Sequence, residues 1–383
     1  MDSDFKSNNM DLDLDPQFKE FWCKRHPPNL LRSYKTQPAL NPSIPDVEQS
    51  STPNDPAVIS VLQYCKRYGL LLHEQSPGFL SNKRQQKMAG LATLHIAQVL
   101  RQYWQTSRHS MEGKESTRNS ATFSWRHVYD LAVRWRQFSE PNDPVWWVDL
   151  LTPEQFAEGF GSHTPMITGQ CHVVRYSPMV PLSFPIMQEE MIKQKNLSEK
   201  LKTQVREAKN IEDLYDIMRR DFWIVTPCHS IRTGNILEGT RLTIQKSEPE
   251  GYEYSIRTPG TPPRWIDYDL ELAHVFDLLT QAVHDTPNDL DKISDLILTV
   301  TFYWYNFMPL SRGTAACGFI AMIAMFLSLG IEITSIVPPN FLVDWQGILR
   351  PQPSIFIEQL KPWLYPGRKN TSLEEFDKLP LIS

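Results

Sequence analysis

A run of residues without any charge lies between Arg312 and Glu332, and it constrains the fold more than any other feature of the chain. The run holds 19 residues, which is long enough for a helix to cross a bilayer. A helix that is apolar all round is either a membrane span or the centre of a protein core. Thr314, Gly318 and Ser328 interrupt the run, and no lysine or arginine cluster flanks it. We therefore expect a buried central helix and no membrane span.

A polar loop separates this helix from the preceding one, which is predicted over residues 290–304 from apolar residues at intervals of three and four. A helix that starts at Gly313 or Thr314 would direct free backbone N–H groups into the loop. Such groups bind anions, and a serine and an arginine stand beside them. The candidate residues for an anion or a nucleotide are Tyr305, Asn306, Ser311, Arg312, Gly313 and Thr314.

The charge of the chain limits its partners and its setting. The 39 basic and 44 acidic side chains give a net charge of −5 and a pI near 6.1, so we expect neither nucleic acid nor an anionic membrane as a partner. The five cysteines form no CxxC pair, which argues against a disulfide framework and indicates a reducing compartment. The N-terminus has no basic and apolar signal segment. We predict a cytoplasmic protein.

The sequence divides into four parts, and the predicted fold class is mainly α. Residues 1–56 read as a disordered tail that is acidic and rich in proline. Residues 57–222 read as a mainly helical region with a short strand at 168–176, and residues 223–366 as a helical core with a β-hairpin. Residues 367–383 read as a C-terminal tail. Within 189–221, the alternating charges predict a surface helical region that breaks near Asn210 or Ile211.

A β-hairpin is predicted where residues 240–246 and 252–258 alternate around a turn. Pro262 and Pro263 end this hairpin and lead into a helix over residues 268–284. One edge of the hairpin is expected to be exposed, and an exposed edge can accept an added strand.

Several side chains near residue 170 are of the types found in metal-binding or catalytic sites. His163, Cys171, His172 and Arg175 lie close in sequence. However, no acid completes a recognisable ligand set, and the histidine spacing matches no helical metal motif. We therefore predict no metal site here.

The order of hairpin, two prolines, two helices, loop and apolar helix over residues 235–334 resembles the Fic/Doc (Fido) fold. In that family a loop with the motif His-Pro-Phe-x-Asp/Glu-Gly-Asn-Gly-Arg joins two central helices, and the hairpin is a flap that holds a target peptide. The resemblance implies a Fido-like helical core here. Its candidate peptide-binding flap residues are Tyr254, Ile256 and Thr258.

The catalytic positions of that motif are replaced in this chain. With Phe307 in register, Tyr305 takes the place of the catalytic histidine and Pro309 takes the place of the acid that holds Mg²⁺. A tyrosine with a pKa near 10 is a poor base at neutral pH, and proline cannot coordinate a metal. Arg312 stands one position before the arginine of the motif. We therefore assign no catalytic residue and expect no cofactor.

Longer motifs resemble the C-terminal region of the tetratricopeptide repeat protein 13 family and its plant relative, a regulator of immune signalling. The longest is the run from Phe302 to Ala315, and another begins at Trp125. This resemblance implies a regulatory or scaffolding role. The chain itself shows no 34-residue repeat. The motifs lie at residues 125–136, 141–145, 159–163, 169–170, 174–176, 302–315, 343–345 and 363–366.

Two classes of function follow from these patterns. The favoured one is a non-catalytic regulatory or scaffold protein that binds a protein or peptide partner at the hairpin edge or a surface cleft. The alternative is a divergent transferase of the AMPylation or phosphotransfer type that uses a nucleotide with Mg²⁺, with chemistry supplied by Tyr305 or a remote residue such as His163.

The loop also has a purely structural interpretation. In it, Arg312 pairs with a carboxylate such as Asp295 or Asp344, and the aromatic side chains only pack the junction between two helices. The aromatic residues concerned are Tyr303, Trp304, Tyr305 and Phe307.

Overall fold

A computed structural model describes residues 56–72, 83–111, 123–139, 145, 147, 179–246, 252–257, 262–310 and 313–382. These ranges contain twelve helices and five short strands, which confirms the mainly α fold class. The predicted N-terminal tail, the predicted strand at 168–176 and the cluster around His163 lie outside the described residues. The proposed division into domains stays a prediction.

Three helices form the N-terminal part: α1 (Pro56–Leu71), α2 (Lys83–Met111) and α3 (Trp125–Ser139). They agree with the helical spacing of apolar residues in this region. Both α2 and α3 pack against the central helix of the molecule. The backbone of Ser124 marks the start of α3, because its carbonyl accepts a hydrogen bond from the N–H of His127.

Glycines allow α1 and α2 to approach each other closely. A Cβ atom added at Gly90 of α2 would lie 2.0 Å from the carbonyl oxygen of Cys65 in α1. A Cβ atom added at Gly69 would lie 1.8 Å from the carbonyl oxygen of Gln86. Since both neighbours are backbone atoms, any larger residue at either position forces the two helices apart.

Three further helices follow: α4 (Met179–Lys193), α5 (Glu199–Glu207) and α6 (Ile211–Met218). The predicted break near residue 210 is confirmed, since the side chain of Asn210 accepts a hydrogen bond from the N–H of Asp213 and caps α6. Helix α4 begins ten residues before the predicted charged region. It contains Pro185, a residue that normally argues against a helix interior.

The main sheet consists of β1 (Phe222–His229), β2 (Ile236–Lys246) and β3 (Tyr252–Arg257), in the order β1-β2-β3. All pairs are antiparallel, and the hairpin register places Arg241 opposite Arg257. The predicted hairpin is thus confirmed. Within the described part of the chain, β3 pairs on one side only, so it forms an edge of this sheet.

Three long helices build the core: α7 (Pro262–Asp285), α8 (Leu290–Phe307) and α9 (Thr314–Ser328). Helix α7 starts earlier than predicted because proline is tolerated in the first turn of a helix. Asp289 caps α8 by accepting a hydrogen bond from the N–H of Lys292 at 3.0 Å.

The uncharged run forms α9, and it is the buried central helix that the sequence indicated. All residues from Ala316 to Ser328 are buried, and the helix packs against α2, α3 and α8. Gly330 follows it with a positive φ of 75°, as expected after a helix C-terminus. Among the described residues, no helix has the length and apolarity needed to cross a membrane.

The last described elements are β4 (Ile331–Ile333), α10 (Val343–Ile348), α11 (Pro353–Leu364), β5 (Arg368–Asn370) and α12 (Leu373–Asp377). Strands β4 and β5 form a separate antiparallel pair. The residues after 366 therefore contain a strand and a short helix, although the sequence indicated only a tail.

Candidate functional site

The segment of residues 305–314, which we call the α8–α9 loop, begins in the last turn of α8, because the helix continues to Phe307 and ends at the left-handed Met308. Met308 has a φ of 49°, and its N–H binds the carbonyl oxygen of Trp304. Pro309 follows and cannot continue a helix. Leu310 then forms an isolated antiparallel β-bridge with Trp147. Ser311 and Arg312, two of the predicted anion-binding residues, lie outside the described residues.

Aromatic side chains of α8 occupy the space between this loop and α9. Trp304 donates from Nε1 to the carbonyl oxygen of Thr314 at 2.8 Å, and the hydroxyl of Tyr305 donates to the carbonyl oxygen of Ala315 at 3.3 Å. A Cβ atom added at Gly318 would lie only 2.5 Å from the Tyr305 ring. Tyr305 is 1% exposed, so the residue at the position of the catalytic histidine is a packing residue.

Asn306 is also a structural residue in this loop. It is fully buried, and its Nδ2 donates to the carbonyl oxygens of Gly347 at 2.8 Å and Phe302 at 3.3 Å. The first of these bonds joins the end of α8 to α10. Together with Tyr305, it shows that two of the six predicted site residues hold helices together.

Arg264 fixes the end of α8 from the other side. Its guanidinium donates to the carbonyl oxygens of Asn306 at 2.6 Å and Phe307 at 3.0 Å in the last turn of α8. It also donates to the carbonyl oxygens of Glu238 at 2.9 Å and Gly239 at 3.3 Å in β2. Arg264 thus connects the hairpin to the α8–α9 loop.

Arg264 is a buried cation, since only 3% of the residue is exposed. Burial lowers its pKa, while the nearby Tyr268 and other groups oppose that change. The carbonyl oxygens at a helix C-terminus carry partial negative charge and favour a cation there. The ring of Tyr268 adds a cation–π contact at 4.5 Å. The sequence did not indicate this role. The hydrogen-bond acceptors of Arg264 are backbone carbonyl oxygens at least 25 residues away in the chain, and no local sequence pattern marks them.

The start of α9 forms the remaining part of the candidate anion site. Gly313 is the N-cap residue and has a φ of 81° with no side-chain cap. The side chain of Arg136 in α3 lies against it, because a Cβ atom on Gly313 would be 3.0 Å from Cγ and 3.3 Å from Nε of Arg136. Arg136 is 6% exposed. The structure therefore brings a buried cation to the helix start that the sequence singled out.

A buried cysteine lies one turn into the same helix. Burial raises the pKa of the Cys317 thiol to about 12, and Arg136 opposes this rise. Cys65 and Cys228 are buried as well, and their thiols have pKa values raised to about 12 for the same reason. Thiols of this kind are unreactive at neutral pH. Their chemistry is consistent with a structural role.

The predicted flap residues point into the protein. Tyr254 is fully buried and Ile256 is 4% exposed, whereas Thr258 lies outside the described residues. A ligand therefore cannot contact the first two side chains from outside. What β3 offers to a partner is its backbone edge, which the buried side chains hold in an extended conformation.

The described residues contain no group of three or more histidine, cysteine or acidic side chains that could hold a metal ion. The histidine and cysteine cluster near residue 170 lies outside them. The fold and the loop thus define a mainly helical protein whose central loop is packed by its own side chains.

Comparisons with known proteins identify the relatives of this chain. No protein family model matches it. Suppressor of RPS4-RLD 1 from Arabidopsis thaliana is 36% identical over 98% of this chain and 42% of that protein. Tetratricopeptide repeat protein 13 from Homo sapiens is 29% identical over 95% of this chain and 44% of that protein. The chain spans less than half the length of both relatives.

The chain is a homologue of tetratricopeptide repeat protein 13 and of its plant relative over part of their length, as the sequence motifs predicted. The motif from Phe302 to Ala315 that supported this resemblance includes the packed end of α8 and the start of α9. The resemblance to the Fic/Doc fold stays a prediction.

Proposed function

We propose that this chain is a non-catalytic regulatory or scaffold module that holds an extended segment of a protein partner along β3. The names of its relatives support a role of this kind, since one is called a suppressor and the other a tetratricopeptide repeat protein. Because the chain spans less than half of each relative, the proposal concerns this region alone. A cytoplasmic setting stays the prediction from the cysteine pattern.

The lack of a catalytic role is supported by the contacts of the α8–α9 loop. Acid–base catalysis needs a group that can reach a substrate and titrate near neutral pH. The hydroxyl of Tyr305 and Nδ2 of Asn306 instead donate hydrogen bonds to backbone carbonyls inside the core. Pro309 has no side-chain ligand atom where the related motif has an acid.

The main support for the proposal is the position of β3 at the edge of the described sheet. Its partner β2 lies on one side, and no described strand lies on the other. An edge strand presents a row of N–H and C=O groups that a second extended chain can complete. The buried side chains of Tyr254 and Ile256 keep this edge in place.

Proline substitution tests the strand-addition mechanism. Successive residues of a strand direct their N–H groups to opposite sides, so one of Ser255→Pro and Ile256→Pro removes an outward donor and the other removes a donor to β2. Proline is tolerated only where the N–H faces outward. The informative variant is therefore the one that keeps the thermal midpoint and circular dichroism of the intact chain.

A peptide selected from a displayed library against the full chain serves as the probe. The proposal predicts that the informative proline variant loses this peptide, whereas Ser255→Thr, which keeps the N–H, retains it. Peptide binding that neither proline variant changes would rule out strand addition at β3.

A second candidate function is anion or nucleotide binding at the start of α9. It is favoured by one observation, the placement of the buried Arg136 against Gly313 at a helix N-terminus. Under this alternative the nucleotide binds with Mg²⁺, and Ser311, Arg312 and Thr314 complete the site. Thermal stability measured with nucleotide separates this candidate from the first.

A further inference from the structure

Helix α7 exposes large apolar side chains on the face that points away from the core. Ile266 is 63% exposed and Leu270, one turn later, is 45% exposed. Ala273, a further turn along, is half-buried. The opposite face of the same helix carries Tyr268 and Leu272, which are fully buried. The two exposed side chains therefore lie outside the core on one side of α7.

The exposed charges that α7 itself places around these two residues are all negative. Asp267, Asp269 and Asp277 are exposed on α7. No lysine or arginine occurs between Arg264 and Lys292, whereas seven acidic residues do. An exposed helix surface normally mixes both signs. On α7 itself this surface combines apolar and acidic side chains, and the exposed Arg232 of the neighbouring turn lies 3.8 Å from the buried carboxylate of Glu271.

The turn between β1 and β2 is hydrogen-bonded to α7 and exposes further apolar side chains. The buried carboxylate of Glu271 accepts hydrogen bonds from Ser230 Oγ at 2.5 Å and from the N–H groups of Ile231 at 2.8 Å and Arg232 at 3.1 Å. These bonds fix the turn against the helix. Ile231 is 45% exposed and Ile236 is 65% exposed, so two more aliphatic side chains stand at the surface there.

We propose that this surface, which we name the α7 face, binds a basic amphipathic helix of a protein partner. A row of aliphatic side chains along a helix matches a partner helix with aliphatic residues at intervals of three and four. The flanking aspartates then pair with lysine or arginine at the edges of the partner. The α7 face consists of Ile231, Ile236, Ile266 and Leu270 with Asp267, Asp269 and Asp277.

Charge distinguishes this partner from other occupants. Two copies of the chain in a two-fold contact would bring the same acidic surface against itself, which like charges oppose. Residues 11–15 of the N-terminal sequence, with three aspartates, have the wrong charge as well, whereas residues 19–35 hold five basic residues and one acidic residue and match the partner in charge. This surface is separate from the edge of β3, so it adds a second binding function to the proposed one.

The probe for this proposal is a labelled leucine–lysine peptide of about 18 residues, with leucine at every third or fourth position. The matched control is the same peptide with glutamate in place of lysine. Fluorescence anisotropy with the full chain is expected to show saturable binding of the lysine peptide and affinity lower by about tenfold or more for the glutamate peptide.

Surface variants locate the binding site. The double variant Ile266→Ser and Leu270→Ser is expected to lower the affinity for the lysine peptide by about tenfold or more, since these side chains supply the apolar contact. Ile336→Ser with Leu381→Ser removes equally exposed apolar side chains elsewhere and is expected to leave affinity unchanged. Asp267→Lys with Asp269→Lys should weaken binding, whereas Glu207→Lys with Asp216→Lys, of equal charge change, should weaken it much less.

Three results would overturn the proposal. The first is the absence of saturable binding, and the second is equal loss in the test and control variants. The third is a dimer of the intact chain, seen by light scattering, that the Ile266→Ser and Leu270→Ser pair dissociates. That result would assign the α7 face to a second copy.

Discussion

Arg264 is a single residue on which two elements depend. It places a buried positive charge among four carbonyl oxygens, two from the end of α8 and two from β2. Removal of a buried group of this kind leaves its partners without donors, which costs more than the net gain of the hydrogen bonds themselves. The α8–α9 loop is therefore expected to rely on this residue for its position.

We predict that Arg264→Met lowers the free energy of unfolding by about 3 kcal/mol, because four buried carbonyls lose a charged donor. Urea unfolding of the full chain measures the change. Arg206→Met, at an exposed position, is the matched control and should stay within about 0.5 kcal/mol. Equal stability of the two variants would show that Arg264 does not hold the junction.

His95 gives the molecule a defined dependence on pH. Burial, with a smaller contribution from Arg134, lowers the pKa of His95 from 6.5 to about 4. Its Nδ1 accepts a hydrogen bond from Trp135, which also requires the neutral ring. Because the pKa in the folded state is lower than in the unfolded state, the unfolded chain binds the proton first as pH falls.

The stability that neutral His95 provides is complete above pH 6.5 and is lost as pH falls towards 4. We predict that, between pH 7 and pH 5, the titration of His95 alone lowers the free energy of unfolding by about 2 kcal/mol. Urea unfolding of the wild type and of His95→Gln at both pH values isolates this contribution. If the two proteins lose the same free energy over this interval, His95 does not titrate as the structure implies.

At the residue scale, the sequence identified which residues lie at the junction of α8 and α9 better than it identified what their side chains contact. It placed Tyr305 and Asn306 in a loop between two helices, whereas both lie in the last turn of α8, which ends at Phe307. Their partners, however, are backbone carbonyls of α9 and α10, which no local pattern reveals. Arg136 and Arg264 were not found, since a buried arginine is recognised only through distant residues that surround it.

At the scale of elements, the packing of α1 on α2 rests on two glycines. A Cβ atom at Gly90 would overlap the backbone of Cys65, and a backbone atom cannot rotate away as a side chain can. We predict that Gly90→Ala destabilises the protein by about 2 kcal/mol or more, because overpacking outweighs the gain of about 1 kcal/mol in helix propensity.

The control for Gly90→Ala is Lys87→Ala, which lies at an exposed position of the same helix. Thermal unfolding of both variants should give a lower midpoint for the glycine variant and little change for the lysine variant. A Gly90→Ala protein that is as stable as the wild type would mean that α1 is free to move away from α2.

Elements with a clear period were predicted well from the sequence, and the exceptions have physical causes. The apolar stripe of α8 predicts a helix with one buried face, and the uncharged run of α9 predicts a helix buried on all sides. Helix α4 was placed too late because its first turns contain proline and little charge. Such a helix is held by its contacts with α5 and β1, which the local sequence does not encode.

At the scale of the whole molecule, α2 joins the two ends of the described chain. The side-chain amide of Gln98 donates to the carbonyl oxygen of Pro380 and accepts the N–H of Ile382, both at 3.0 Å. Arg101 makes two hydrogen bonds to Asp377 at 2.6 and 2.8 Å. These contacts hold the segment that the sequence indicated as a tail.

We predict that Gln98→Leu releases residues 377–382 from α2 and lowers the free energy of unfolding by about 1–2 kcal/mol, since two backbone groups lose their partner. Hydrogen exchange of the full chain should show faster exchange in this segment. Gln102→Leu, at an exposed position one turn further along α2, should leave exchange unchanged. The same exchange rates in both variants would contradict the contact.

The central claim for the whole molecule is that the α8–α9 loop is a structural junction of a non-catalytic module. Thermal unfolding of the full chain with ATP or GTP and Mg²⁺ tests it most directly, because a ligand that binds the folded state raises the midpoint. We expect the same midpoint with and without nucleotide. A rise that Arg312→Ala abolishes would contradict it and would assign a nucleotide site to this loop.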